Sequence, residues 1–132
     1  MRILALDYGA ARTGVAVSDP TGTLALPVGV VVRAASDAGL RRVAALVAEH
    51  EAELLIVGLP LTLKGERGEQ AQETERFVEA LRRVVSVPIE TFDERFTTTL
   101  AAQGPGRKAE EDARAAAHLL TGYLERDTEP GV

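Results

Sequence analysis

Acidic residues stand at three places in this sequence where a folded chain could bring them together. Asp7 follows the apolar run "ILAL", Asp93 and Glu94 close the segment "VPIETFDE", and Asp112 falls in the first turn of a predicted helix. Carboxylates that are close together and partly buried repel one another and raise each other's pKa. A fold gathers them mainly to hold a hard divalent cation, and such oxygen ligands suit Mg²⁺ or Mn²⁺.

Each acid also has a purely structural role open to it. Asp7 could cap a turn, and Asp112 could favour the positive N-terminus of its helix. Asp93 or Glu94 could pair with the neighbouring Arg95. Because three acids on independent elements converge, the set as a whole favours a metal site over these separate explanations.

The apolar periodicity predicts the element order β-β-β-α-β-α-β-α. Continuous apolar runs and turn signals such as "DPTGT" mark strands, and recurrence at helical spacing from Ser36 onward marks helices. A loop with two glycines, Gly9 and Gly14, is expected between the first two strands. The predicted strands are 2–7, 13–18, 26–33, 53–58 and 87–94, and the predicted helices are 36–51, 69–84 and 110–126, with a short helical piece after Phe96.

Short connections predict that the first three strands form an antiparallel meander, whereas each β-α-β step should be a right-handed crossover. The expected fold is therefore an α/β, three-layer fold with a five-stranded mixed sheet of order 3-2-1-4-5, flanked by helices. Strands one, four and five would end at one edge, where open α/β sheets bind ligands. Asp112 shares its helical face with Ala116, Leu119 and Tyr123, so it should point partly inward.

Composition narrows the possible classes of protein. The 132 residues predict a single domain, 1–132, with 127–132 as a frayed tail. The absence of cysteine excludes disulfides and thiolate chemistry, and the apolar runs are too short for a membrane span. With no signal-peptide pattern, the expected location is the cytoplasm. The net charge of −5 neither supports nor excludes a phosphate-rich partner, because arginines fall in loops while much of the acid lies on helices.

Four blocks of the sequence resemble the YqgF/RuvX family. They are "ILALDYGAARTGVAVSD", "IVGLPLTLKGERGEQA", "FDERFTT" and "EDARAAAHLL", they occur in the family's order, and the resemblance covers roughly residues 2–125. That family has an RNase H-like, Holliday-junction-resolvase-like fold, and its members are named as pre-16S rRNA nucleases. The chain departs from the family pattern at Thr62 and Lys64, where an asparagine and an acidic residue are usual, and in a shorter segment before Asp112.

The resemblance implies a nuclease that holds two divalent ions, Mg²⁺ or Mn²⁺, about 4 Å apart across the scissile phosphate. Asp7 would bridge the ions, Glu94 and Asp112 would complete the ligand set, and Asp93 is the substitute for Glu94. The implied phosphate contacts are Arg12, Arg95, Thr97, Thr98, Arg107 and Lys108. The last two lie in "GPGRKAEED", which is either a simple connector or a loop that closes over the substrate backbone.

The expected partner is structured nucleic acid, either the 5′ end of a 16S rRNA precursor or a four-way DNA junction. Junction cleavage requires two opposed active sites and hence a homodimer, whereas RNA trimming needs only one site. Two alternatives stay open. One is a non-catalytic ribosome-assembly factor that retains the fold, and the other is an actin-like phosphotransferase, which normally needs two such domains.

Overall fold

The computed structural model describes residues 1–60, 68–93 and 109–127. Within these residues, five strands and three helices follow one another in the predicted order. The strands are β1 (Ile3–Asp7), β2 (Arg12–Ser18), β3 (Ala25–Val32), β4 (Leu54–Leu59) and β5 (Ile89–Asp93), and the helices are α1 (Asp37–Glu49), α2 (Glu69–Leu81) and α3 (Ala109–Asp127). The short helix predicted after Phe96 and the tail from residue 128 lie outside the described residues.

The five strands form one mixed sheet in the order β3-β2-β1-β4-β5, which confirms the predicted order. β1 pairs with β2 antiparallel and β2 with β3 antiparallel, so the first three strands are the predicted meander. β4 lies parallel to β1, and β5 lies parallel to β4. The carboxyl ends of β1, β4 and β5 therefore share one edge, as the sequence predicted.

The sheet separates two apolar cores, because successive side chains of a strand point to opposite faces. Leu4 and Leu6 of β1 pack with α1 and α2 on one face. Ile3 and Ala5 pack with α3 on the other, so the molecule has three layers. We call these the α1/α2 face and the α3 face.

The helices begin and end close to the predicted residues, with one informative difference. Ser36 is the N-cap of α1, and its hydroxyl accepts a hydrogen bond from the Gly39 N–H at 3.0 Å. Helix α2 ends at Leu81 rather than continuing to residue 84. The N–H groups of Val84 and Val85 both donate to the Leu81 carbonyl, which closes a turn. In the part of the chain that the structure describes, no helix combines the length and apolar character that crossing a membrane requires.

The turn between β2 and β3 is organised by Asp19. Its carboxylate accepts hydrogen bonds from the N–H groups of Thr23 and Leu24 at 2.8 and 2.9 Å and from the Thr21 hydroxyl at 2.6 Å. Gly22 adopts the left-handed conformation (φ 73°) that this turn requires. The hydrogen bond from Leu24, followed by that from Thr21, lowers the pKa of Asp19 to about 2 from 3.8.

Because of this turn, the free energy of unfolding should depend on pH under acidic conditions. Since the folded-state pKa lies below the unfolded value, the contribution of Asp19 is complete above about pH 4 and is lost as pH falls through about 2. We expect Asp19→Asn to lower the melting temperature at pH 5 and to converge on the wild type as pH decreases toward 2.5. Melting curves of both proteins across this range test it, and a difference that does not change with pH would contradict it.

Candidate metal-binding active site

Asp7 lies at the carboxyl end of the central strand β1, opposite Gly14 of β2. Ile3 and Ala5 pack on the α3 face, so the two-residue alternation places Asp7 on the same face. The strand that carries it is held on both sides, by β2 and by β4. Its position at the edge of the sheet is therefore fixed by pairing along the whole strand.

Gly14 allows α3 to come unusually close to the sheet. It lies within β2, as the predicted strand 13–18 implies, although the sequence pattern also placed it among the glycines of the preceding loop. A Cβ atom at this position would overlap the carbonyl oxygen of Asp112 and lie 3.3 Å from the Ala113 nitrogen. Asp7 and Asp112 are thus both neighbours of one residue, Gly14, although 105 positions separate them in the chain (112 − 7).

Asp112 is buried in the first turn of α3, with 8% of its surface exposed. This confirms the prediction that it points inward with Ala116, Leu119 and Tyr123, all of which are buried. Its Oδ2 atom lies 2.9 Å from Nε of Arg12. The two groups form an ion pair by distance, but the N–H direction does not give an aligned hydrogen bond to this oxygen.

Arg12 is presented by a short, tightly closed loop between β1 and β2. The N–H of Gly9 donates to the hydroxyl of Thr13, and this hydroxyl donates to the Gly9 carbonyl, both at 3.4 Å. The N–H of Arg33 donates to the Ala11 carbonyl at 3.0 Å, which ties the loop to the end of β3. The backbone of Arg12 is therefore fixed, and no pattern in the sequence indicated that its side chain reaches Asp112.

The acid at the end of β5, Asp93, does not belong to the α3 face. Phe92 packs on the α3 face, and Glu90 accepts a hydrogen bond from the Tyr123 hydroxyl of α3 at 3.0 Å. Ile89 packs on the α1/α2 face, so the alternation assigns Asp93 to that face as well. Asp93 is therefore on the side of the sheet opposite Asp7 and Asp112.

Several predicted site residues lie outside the described residues: Glu94, Arg95, Thr97, Thr98, Arg107 and Lys108, together with Thr62 and Lys64. Within residues 1–60, 68–93 and 109–127, no three acidic or histidine side chains are grouped closely enough to hold a metal ion. The described part of the site consists of two acids, Asp7 and Asp112, and one arginine.

A cleft of about 180 Å³ opens beside Asp7, between the β1–β2 loop and the first turns of α2. Tyr8 lines it and stacks on Phe77, with ring centroids 4.3 Å apart. Burial, and then the nearby charge of Glu73, raise the pKa of the Tyr8 hydroxyl, while Arg76 acts in the opposite direction. The Tyr8 hydroxyl is therefore protonated at neutral pH and is available as a hydrogen-bond donor.

The described acids fit a hard divalent cation. Their donor atoms are carboxylate oxygens, which Mg²⁺ and Mn²⁺ prefer. Asp112 is buried, and a buried carboxylate requires positive charge nearby. In this structure the guanidinium of Arg12 supplies that charge. The buried carboxylate of Asp112 therefore already requires a positive charge beside it.

Comparison with known proteins shows what the chain as a whole is similar to. A family model described as "RuvX: Holliday junction resolvase" matches residues 1–126. A protein from Chloroflexus aggregans named "Putative pre-16S rRNA nuclease" is 39% identical, over 97% of this chain and 96% of its own. A protein of the same name from Roseiflexus sp. is 37% identical, over 94% of both chains.

Two solved structures share the fold. T. thermophilus RuvC in complex with a Holliday junction substrate superposes with a TM-score of 0.62, at 17% identity, over 98% of this chain and 96% of that one. The Fowlpox virus resolvase in complex with junction DNA gives a TM-score of 0.59, at 12% identity, over 98% and 100%. These similarities confirm the predicted RNase H-like, resolvase-like fold.

The close approach at Gly14 generates a prediction about stability. Gly14→Ala places a methyl group where the Asp112 carbonyl lies, so α3 must move away, at a cost of about 1–3 kcal/mol in the free energy of unfolding. Gly29→Ala on β3 is the matched control, because a Cβ there meets nothing within 4 Å. Urea unfolding of the two variants should separate them, and equal stabilities would show that the contact at Gly14 is not tight.

Proposed function

The chain belongs to the RuvX family of Holliday junction resolvases, and on that premise we propose that it is an endonuclease that hydrolyses phosphodiester bonds in structured nucleic acid with the help of divalent metal ions. The observation that carries the proposal is the placement of Asp7 and Asp112 against the same residue, Gly14, on one face of the sheet. Two acids from distant parts of the chain thus neighbour one residue, near the edge where α/β sheets bind ligands.

The third acid of the proposed site is Glu94 and not Asp93. Asp93 belongs to the face of the sheet opposite α3, which weighs against its sharing an ion with Asp112. The next residue of a regular strand would belong to the α3 face, and in the sequence that residue is Glu94. We therefore assign the binding of two metal ions, Mg²⁺ or Mn²⁺, to Asp7, Glu94 and Asp112.

Asp7, Glu94 and Asp112 would hold a pair of such ions, which would supply activation of a water molecule and neutralisation of the charge on the leaving oxygen. The protein's contribution is to hold its carboxylates in position. Asp7 is rigid because β1 is paired on both sides, and Asp112 is rigid because Gly14 seats the first turn of α3 against β2. The barrier to reaction is thereby lowered without reorganisation of the acids.

Positive side chains are needed to bring a polyanion to an acidic site. The chain has a net charge of −5, so broad electrostatic attraction does not supply the affinity. We assign phosphate contacts to Arg12, Arg95, Thr97, Thr98, Arg107 and Lys108, all close in sequence to the acids. Such contacts fix the position of the backbone but do not read the bases. Selectivity would then come from the shape of the substrate.

Processing of the 5′ end of pre-16S rRNA is the first candidate activity, since relatives that cover nearly the whole chain are named for it. Resolution of four-way DNA junctions is the second, since the matching family model is described by that activity. The junction reaction requires a homodimer with two opposed sites. Sedimentation of the protein alone and with junction DNA therefore bears on the choice: a strictly monomeric protein favours the RNA.

Asp7→Asn tests the proposal directly. The change is nearly isosteric and removes one charge from the metal site, so cleavage should fall about a thousandfold or more, because the lost stabilisation is worth several kcal/mol. Wild type and variant should each be given a labelled pre-16S 5′ leader and a mobile four-way junction, with Mn²⁺, Mg²⁺ or chelator. Asp37→Asn, an exposed acid at the start of α1, is the control and should cleave normally.

The result of that experiment also decides between the proposal and its alternatives. Tight binding of either substrate without any metal-dependent cleavage would identify a non-catalytic assembly factor. Near-normal cleavage by a folded Asp7→Asn protein would contradict the assignment of Asp7. Cleavage of the leader but not of the junction, or the reverse, would identify the substrate.

A second pair of variants tests the choice between the adjacent acids of β5. Glu94→Gln should abolish cleavage to the same degree as Asp7→Asn, whereas Asp93→Asn should retain most of the activity, because Asp93 belongs to the other face of the sheet. Both proteins should be compared at saturating Mn²⁺ after circular dichroism has confirmed that they are folded. The opposite ranking would mean that the alternation of β5 breaks at its end and that Asp93 is the ligand.

A further inference from the structure

Resting on the proposed function, we propose that Arg12 is the internal counter-ion of Asp112 in the metal-free protein and that a divalent cation displaces it when it binds. The pair is the starting observation: Nε of Arg12 lies 2.9 Å from Oδ2 of Asp112. A guanidinium and a divalent metal ion cannot both lie next to one carboxylate oxygen without strong repulsion between their charges. The arginine and the metal therefore compete for Asp112.

Burial explains why Asp112 needs a counter-ion at all times. Its side chain is only 11% exposed, and the first turn of α3 is pressed against Gly14, so water has little access to the carboxylate. A buried charge that loses its partner is strongly destabilising. In the structure Arg12 supplies positive charge to this carboxylate, and a bound metal ion could supply it instead.

The two partners differ in how easily they can move. The Arg12 side chain is 39% exposed, on a long flexible stem, whereas Asp112 is held by its helix. The backbone of Arg12 is fixed by its pairing with Val32 of β3, so only the side chain needs to swing out toward solvent.

Displacement gives Arg12 two successive roles. In the metal-free protein it stabilises the fold by neutralising Asp112. After the metal binds, its guanidinium is released at the rim of the same site, where the scissile strand's phosphate would lie, and guanidinium binds phosphate well. The phosphate contact proposed for Arg12 then becomes available only in the metal-loaded protein.

Metal affinity provides the first test, because damage to the fold and loss of a competitor have opposite effects. Mn²⁺ binding to the nucleic-acid-free protein should be measured by calorimetry or electron paramagnetic resonance. We expect Arg12→Gln to bind Mn²⁺ about tenfold more tightly than the wild type, and Arg12→Lys, which keeps the charge, to bind it about as the wild type does. The matched control is Arg42→Gln, which breaks an exposed pair with Glu49 of similar length (3.0 Å) and should change nothing.

Stability gives an independent readout. In chelator, Arg12→Gln should melt at a lower temperature than the wild type, since Asp112 is left uncompensated, and Mn²⁺ should raise its melting temperature by more than it raises that of the wild type. If the variant does not fold in chelator, folding on addition of Mn²⁺ gives the same information. Equal or weaker Mn²⁺ binding by folded Arg12→Gln would overturn the proposal.

Nuclear magnetic resonance separates displacement from simple charge repulsion. In ¹⁵N-labelled protein, the Nε–H signal of Arg12 can be identified by its loss in Arg12→Lys. The Nε–H proton should exchange slowly with water in chelator and faster at saturating Mg²⁺. A signal that Mg²⁺ leaves unchanged would overturn displacement even if affinity rose in Arg12→Gln. If the wild type binds neither Mg²⁺ nor Mn²⁺, the proposed metal site itself fails, and this outcome is distinct from the others.

Discussion

The absence of a side chain at Gly14 is the constraint on which the candidate site depends. Because nothing projects from β2 at this point, the first turn of α3 can lie directly on the sheet. That contact seats Asp112 beside the residue that pairs with Asp7 in the neighbouring strand. Any larger residue would lift the N-terminal end of α3, and the two acids would separate. The site is thus produced by a packing contact rather than by a local motif.

A second consequence of this contact is electrostatic. Close packing buries Asp112, and burial creates a need for positive charge that solvent cannot meet. Arg12 satisfies it from the exposed side, through a loop tied to β3 by the hydrogen bond between Arg33 and Ala11. The same packing that positions the carboxylate therefore makes it attractive to cations.

The two faces of the sheet differ in the size of the side chains that pack on them. On the α1/α2 face, large buried side chains such as Leu4, Leu6 and Phe77 form a continuous apolar core. On the α3 face the packing includes smaller residues, among them Ala5, Ala16 and Ala116, which let the helix come close. The acids occupy the end of this second face. The apolar core on one side and the closely packed helix on the other hold Asp7 and Asp112 in position.

Much of the fold and part of the site followed from the sequence by itself. The switch from strand-like to helical periodicity predicted the element order, because periodicity is a property of residues close together in the chain. The handedness of β-α-β connections then predicted the sheet order, because it depends only on the order of the elements. The inward orientation of Asp112 followed from its spacing to Ala116 and Leu119. The resemblance of the four sequence blocks to the RuvX family agreed with these inferences.

Tertiary structure alone decided three other points. The resemblance favoured Glu94 and kept Asp93 as its substitute, but a period of two does not say which face of β5 meets α3. Phe92 packs against α3, and the alternation then assigns Asp93 to the other face. The close contact between Gly14 and Asp112 had no signal in the sequence, because the two residues are 98 positions apart (112 − 14). Arg12 and Asp112 are 100 positions apart (112 − 12). Contacts between remote residues depend on how the layers pack, and no local pattern records them.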